Sequence, residues 1–293
     1  MFLRKKYIKK INRNAFTIIE ISVVILIISV MIVGVATGKT ILTKSRLANA
    51  KSLTQQSIVN DLENDLIAWY ETSLEGSFKP SESKTDGSLI TIWKDSNKSV
   101  IAKNDASIGV SPTLVQNVFY NSIPGVRFTG SQYLNFNGSK FANNSYTVFV
   151  VEQRSSGKSE NYFIAGGTNT INSNLILGYK NNNTITQAHY ANDFDITNAT
   201  LFPNYSSPTP RIHTFIYNNS IGKKYTLNGK LMYTNSPAQL NQLTSYSDAR
   251  IGYYNSGYIG DLAEIIMFKR SLKTEEVEAI ENYLGSKYGI PVS

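Results

Sequence analysis

The stretch GDLAEIIMFKRSLKTEEVEAIENYLGSKYGI, residues 260–290, decides the fold. Its opening, 260–268, is a short and almost continuous apolar run, the pattern of a buried strand. Asp261 and Glu264 stand three apart in it, which on a regular strand puts them on opposite faces. The period then changes. Val277, Ile280 and Leu284 recur at helical spacing, Thr274 suits an N-cap, and Glu275, Glu276 and Glu278 sit where the helix dipole favours acids. Gly285 or Gly289 ends the helix, with Pro291 beyond. The stretch is a closing strand followed by a short helix.

Upstream, short strands alternate with loops rich in Gly, Asn and Ser. Residues 127–128, 133–136, 147–151, 175–177 and 212–217 read as strands. Residues 225–233 form a hairpin signal, because Asn228-Gly229 suits a type I′ turn. Many short strands with frequent turns predict a mainly β protein, an antiparallel sandwich. There is no cysteine, so an exported domain would be held by core burial instead of disulfides.

The order of these segments carries a resemblance. Residues 66–70 (LIAWY), 92–96 (IWKDS), 125–128 (GVRF), 146–151, 211–214 (RIHT), 227–229 (LNG) and the closing stretch resemble the laminin-G-like, concanavalin A-like jelly rolls of bacterial surface proteins. The likeness runs over roughly 66–290, with Glu71 standing where that family usually has an aspartate. It implies a jelly-roll domain over 66–293, a fold used mostly for binding, frequently of glycans, and sometimes for glycoside hydrolysis.

The amino-terminal end is different in kind. Arg4, Lys5, Lys6, Lys9, Lys10 and Arg13 supply most of the net charge of +8, and the remainder is nearly balanced. A nucleic-acid partner therefore gets no support from charge. Residues 16–37 are apolar apart from Thr17, Glu20, Ser22, Ser29 and Thr37, and as a helix would span about 33 Å, enough for a bilayer. The basic flank predicts an amino end on the cytoplasmic side. Three readings fit: a secretory signal cut after Gly34-Val35-Ala36, a plain signal anchor, or a segment that explains why an acid stands at its edge.

Residues 13–20, RNAFTIIE, resemble the processing site of type IV prepilins and the related pseudopilins. The resemblance implies a basic leader (1–15) cut between Ala15 and Phe16, N-methylation of Phe16, and Glu20 as the fifth mature residue acting in assembly. Ala15 replaces the family's usual Gly, and Thr37 stands where many major pilins carry a helix-kinking Pro. An acid within a membrane segment costs roughly 2.5–3.5 kcal/mol at the centre, less near the interface. Pairing with a neighbouring subunit's amino terminus offsets that cost. A local capping box, 17–20, is the alternative use of Glu20. Beyond Thr37 the helical pattern continues through Leu42, Leu47, Ala50, Leu53, Ile58, Leu62 and Leu66 to Trp69, giving one long helix over 16–70.

Catalytic chemistry is hard to find. A glycosidase needs two carboxylates about 5 to 9.5 Å apart, and no strand carries alternating acids. Glu264 reads as structural; Asp61, Glu63 and Asp65 read as a solvated helix face. His189 and His213 are isolated, His213 as a packing residue. Asp193 and Asp195 could contribute to a calcium site, the only cofactor suggested, and a surface loop is the commoner explanation. Tyr190, Phe194, Phe202 and Tyr205 cluster with amide side chains, the pairing that sugar-binding surfaces use: rings stack on the sugar while amides bind its hydroxyls. The ligand candidates are Tyr190, Asp193, Phe194, Asp195 and Tyr205.

The combined expectation is a non-enzymatic prepilin-like minor or tip subunit displaying a glycan- or ligand-binding head. Expected partners are a prepilin peptidase and methylase, other pilin or pseudopilin subunits, the bacterial inner membrane and a surface glycan. Its place would be a single pass in the inner membrane, then a surface filament. A pseudopilin with a purely structural head, or an anchored or secreted binding protein that never assembles, are the alternatives.

Overall fold

The computed structural model describes residues 17–82, 85–99, 101–120, 122–166, 169–198, 202, 208–234 and 241–293. The described chain divides into two compact units between Lys44 and Ser45.

The first unit is helical. Helix α1 (Ile18–Gln55) begins in it, and the large apolar side chains from Ile18 to Val35 are all exposed. A helix apolar on every side has the length and composition to cross a membrane. A signal sequence has the same composition. The first turn is closed by a reciprocal cap. Glu20 Oε2 accepts from Thr17 N at 2.8 Å and Thr17 Oγ1 at 2.9 Å, and Thr17 Oγ1 accepts from Glu20 N at 3.2 Å.

The second unit contains the end of α1, two antiparallel sheets and a short helix. The helical pattern expected through Trp69 stops at Gln55. Asn60 Nδ2 ties off the carbonyls of Thr54, Gln55 and Ser57, and single 3-10 turns follow at Ile58–Asn60 and Glu63–Asp65. Asp61, Glu63 and Asp65 therefore lie beyond the helix, and Asp65 pairs with Arg270 at 2.6 Å.

One eight-stranded sheet contains β1 (Leu66–Glu71), β4 (Thr113–Phe119), β5 (Ile123–Thr129), β7 (Tyr146–Arg154), β12 (Arg211–Asn218), β13 (Gly222–Leu227), β14 (Lys230–Thr234) and β16 (Ile259–Phe268). The other contains β2 (Ile92–Trp93), β3 (Ala106–Val110), β6 (Tyr133–Phe136), β8 (Asn161–Gly166), β9 (Ile176–Asn181), β10 (Thr184–Ala188), β11 (Phe194–Thr197) and β15 (Ala249–Ile251). The type I′ turn between β13 and β14 is present, with Asn228 and Gly229 at φ 50° and 80°.

The inner faces of the sheets share one core, in which Val148, Val150, Leu262, Ile265 and Met267 belong to the same cluster as Phe163, Leu177 and Ile185. A second core covers the other side of the first sheet. There Phe149, Val151, Ile212 and Ile266 join Val277, Ile280 and Leu284 of α2 (Thr274–Tyr288) and Ala50 and Leu53 of α1. Lys273, not Thr274, caps α2, because Glu276 Oε2 turns back to accept from Lys273 N at 2.8 Å. Gly289, at φ 65°, ends it.

The closing strand is irregular where the sequence reads as regular. Leu262 faces Glu152 and Glu264 faces Val151, so Ala263 is an extra residue, a bulge. The bulge brings Asp261 and Glu264 to the same outer face, where Asp261 holds Arg127 at 2.7 Å and Glu264 meets α2.

Candidate ligand-binding site

The outer face of β8–β11 follows from strand alternation. Leu177, Tyr179 and Ile185 point into the sandwich, so Gly178, Lys180, Thr184 and Thr186 point out. Pairing lines up Tyr162, Gly178, Thr186 and Asp195 in one row across four strands. Gly178 is required in that row. Its φ is 142°, and a Cβ there would approach Tyr162 Cα to 2.7 Å. Beside the row lies a small apolar floor of Tyr162, Ala165, Ile176 and Ala188, with the Tyr254 side chain packed on it. The Tyr162 and Tyr254 rings are 6.3 Å apart at 55°.

Amides and charges rim this floor. Tyr254 Oη bonds the Asn169 side chain. Asn192 Nδ2 donates to Asn172 Oδ1 at 2.5 Å, and Asn241 Nδ2 donates to Asn192 Oδ1 at 2.7 Å. Lys180 Nζ lies 2.5 Å from Asp195 and 3.4 Å from Asp193, and these carboxylates hold its ammonium above the usual lysine range. Burial, then Glu160, Asp193 and Asp195, push the Tyr162 hydroxyl up. The backbone is strained around the face: Glu160, Asn172, Tyr190 and Ala191 all have φ between 52° and 68°. For residues with side chains such conformations cost roughly 1–2 kcal/mol each and cluster at binding and active sites.

The sequence candidates divide accordingly. Tyr190, Asp193 and Asp195 lie at this face. Phe194 does not, because alternation along β11 turns it onto the main core. Phe202 is fully buried there, 5.9 Å from the Tyr179 ring. Ala15, Phe16 and Tyr205 fall outside the described residues. Asp193 and Asp195 are engaged by Lys180, and among the described residues no group of three or more His, Asp or Glu is gathered to hold a metal. Tyr162, Gly178, Thr186 and Tyr254 escape sequence reasoning, since strand pairing brings the first three into one row with Asp195 and side-chain packing sets Tyr254 on Tyr162.

Two buried polar networks lie elsewhere. Under α2, Glu264 accepts from Trp69 Nε1 (2.7 Å), Tyr283 Oη (2.9 Å), Tyr288 Oη (2.9 Å) and Lys287 Nζ (2.8 Å). Lys287 Nζ also reaches Glu71 Oε2 at 3.2 Å, and none of these three charged side chains is exposed. Burial pushes the Glu71 carboxyl up, but Lys287, Ser73, Ser77 and Leu74 N together hold it below the usual range. Glu71, the departure from the jelly-roll family's aspartate, is thus a fixed structural anion. Inside the sandwich, Glu152 accepts from Tyr179 (2.8 Å), Tyr258 (2.7 Å) and His213 (3.0 Å).

Both histidines are neutral packing residues. Burial, with Lys223 nearby, lowers His189 to about 3, and burial lowers His213 despite Glu152. The Glu71–Glu264 pair is sealed from solvent, which denies a water or sugar access to it. A cleft of about 480 Å³ between Lys51, Glu75, Phe78 and Leu114 contains one carboxylate, Glu75, and Lys51 pairs with it at 3.1 Å.

Comparison with protein-family models and with curated proteins gives no match. Solved structures do match. The binding domain of Botulinum neurotoxin DC in complex with rat synaptotagmin II aligns over 76% of this chain and 52% of its own, at 13% identity and TM-score 0.52. The same domain in complex with SialylT aligns over 76% and 52%, at 13% identity and TM-score 0.51. A type C neurotoxin structure, described as entering cells dependent upon interaction with two ganglioside molecules, aligns over 77% and 53%, at 12% identity and TM-score 0.50. The likeness is one of fold. The chain spans about half the length of these neighbours. They are binding domains on a jelly-roll-like sandwich, and that fold is the one this chain's second unit adopts.

Proposed function

We propose that the chain is a prepilin-like subunit, minor or at the tip of a type IV pilus or related pseudopilus, whose sandwich head binds a surface glycan. In this reading residues 1–15 are a leader and the segment from Phe16 spans the inner membrane and assembles. The head, bulky against closely packed filament helices, sits where it is needed only in few copies. The face built on Tyr162, Gly178, Thr186 and Asp195, with Tyr190, Tyr254 and the amides around it, carries the binding half of the proposal. It combines the half-buried rings of Tyr190 and Tyr254, amides and a strained backbone on a rigid sheet. The neighbours described in complex with SialylT and as dependent upon interaction with two ganglioside molecules lend the fold's precedent, and their low identity transfers no residue roles.

The test is a glycan array probed with the full chain in detergent micelles, beside the Tyr190→Ala/Tyr254→Ala variant. Loss of two stacking rings weakens sugar binding by about tenfold or more. Absence of any glycan bound at millimolar sensitivity refutes the binding half and leaves a structural head. For the assembly half, the mass of the amino-terminal peptide decides. A methylated Phe16 supports it, and a start at Thr37 refutes it. One observation favours a second reading, an anchored protein that does not assemble: Thr17 already gives Glu20 a local partner.

A further inference from the structure

The charge pattern on the candidate face narrows the ligand. Resting on the sugar-binding reading above, we infer that the face selects a neutral sugar, one offering hydroxyl and acetamido groups but no carboxylate, sulfate or phosphate.

The carboxylates at the face are Asp193 and Asp195 on the β11 side and Glu160 at the turn into β8. Its cations are already engaged. Lys180 is shared between Asp195 at 2.5 Å and Asp193 at 3.4 Å. Lys158 Nζ donates to Ser256 Oγ at 2.5 Å, with Glu160 its nearby charge. Arg250, on the adjoining strand β15, is held by both oxygens of Asp248, at 3.2 and 2.8 Å. An acidic sugar would find no cation free of a prior partner among these, and would approach two carboxylates that share one ammonium. Like charges about 4 Å apart in water cost roughly 1 kcal/mol, a factor of about five in affinity.

Two neutral side chains, by contrast, are unspent among the described residues. Thr186 stands between Gly178 and Asp195 in the row, 2% exposed, and among the described residues its Oγ1 has no hydrogen-bond partner. Asn174, two residues before β9 and 0% exposed, has neither its Oδ1 nor its Nδ2 partnered among the described residues. Buried polar groups are normally satisfied, so each of these is a donor or acceptor waiting for one. A hydroxyl both donates and accepts, and a side-chain amide presents a donor and an acceptor side by side, the complement of a sugar hydroxyl or acetamido edge. Tyr254 lies over the neighbouring floor, its hydroxyl tied to Asn169.

The experiment compares N-acetyllactosamine with its sialylated and its sulfated forms, using the full chain in detergent micelles at low salt. The neutral sugar binds about five- to tenfold more tightly than either acidic form. Raising the salt narrows that gap in the unmodified protein, because these charges are exposed. Asp193→Asn/Asp195→Asn narrows it at low salt. A sialylated or sulfated form bound as tightly as the neutral one at low salt overturns the inference while leaving sugar binding intact. A gap indifferent to both salt and the double substitution also overturns it. Binding of none of the three at millimolar concentration overturns the sugar-binding reading itself, and this inference with it.

Discussion

Replacing Lys287 by Met tests the packing of α2 most directly. The ammonium sits 2.8 Å from Glu264 Oε2 and 3.2 Å from Glu71 Oε2 with no solvent contact, so its removal leaves two buried carboxylates facing one another. Breaking a buried ion pair by deleting one member costs about 3–5 kcal/mol, mostly from the charge left behind. Here the remaining donors soften the loss. Trp69, Tyr283 and Tyr288 still bond Glu264, while Ser73, Ser77 and Leu74 N still bond Glu71. The lower end, about 3 kcal/mol, is therefore expected at pH 7. Urea unfolding of the full chain in detergent, followed by the fluorescence of the buried Trp69 and Trp93, measures it. Adding Glu264→Gln to Lys287→Met removes one stranded charge and returns more than half of the loss, a coupling that a double-mutant cycle reads. Glu71 titrates lower in the folded state than in the unfolded one, so its pairing stabilises above the unfolded carboxylate range and fades as pH falls through the folded value. The gap between Lys287→Met and the parent therefore shrinks at acid pH, where the stranded Glu71 takes up a proton. A single substitution costing under about 1 kcal/mol, or a double variant no more stable than the single one, refutes the reasoning.

Other outcomes follow from the same geometry. Gly178→Ala brings a Cβ to 2.7 Å from Tyr162 Cα at a φ of 142°, and is expected to cost about 1–3 kcal/mol in urea unfolding and to weaken any sugar binding. Tyr254→Ala, on a half-exposed ring, lowers sugar affinity about two- to tenfold with less than about 1 kcal/mol of stability change, read by calorimetry. His189 is lowered to about 3 in the fold, so the unfolded chain binds its proton first. Stability attributable to it is complete above pH 6.5 and falls by about 1.4 kcal/mol per pH unit below that, a slope that His189→Gln flattens.

The elements were legible and the faces were not. Residues 260–290 announce a strand and a helix, and Asn228-Gly229 announces its turn, because period and turn chemistry are local. The end of α1 was missed because the apolar spacing through Leu66 and Trp69 suits either period, and the deciding contact, Asn60 on the carbonyls of Thr54, Gln55 and Ser57, is a side-chain bond. The Ala263 bulge was invisible for a similar reason. It exists only in the pairing with β7, yet it sets which face Glu264 occupies. Phe194 and Tyr190 were equal candidates in a polar loop until the register of β10 with β11 turned one inward and left the other at the face. Tyr162 and Thr186, ordinary strand residues in sequence, gain meaning only from sharing a row with Gly178 and Asp195.

Glu20 and Glu264 set the same physical problem, a carboxylate among apolar side chains, and their environments differ in a way that bears on assembly. Glu264 receives four donors from Trp69, Tyr283, Tyr288 and Lys287, spread over both oxygens. Glu20 receives two, both from Thr17 and both on Oε2. Among the described residues Oε1 has none. In water that oxygen is hydrated, but at the edge of a bilayer a one-sided cap leaves a charge short of partners, and in the proposed assembly a second chain's ammonium would complete it. Glu20→Gln separates capping from pairing. The amide oxygen still accepts from Thr17, so the helix start survives, while the charge is gone. If Glu20 is an assembly acid, the variant is made, inserted and cut like the parent but is lost from purified filaments by about tenfold, as judged by immunoblot against a coexpressed parent chain. Full incorporation of the Gln variant would reduce Glu20 to a helix cap and remove the physical argument for a filament.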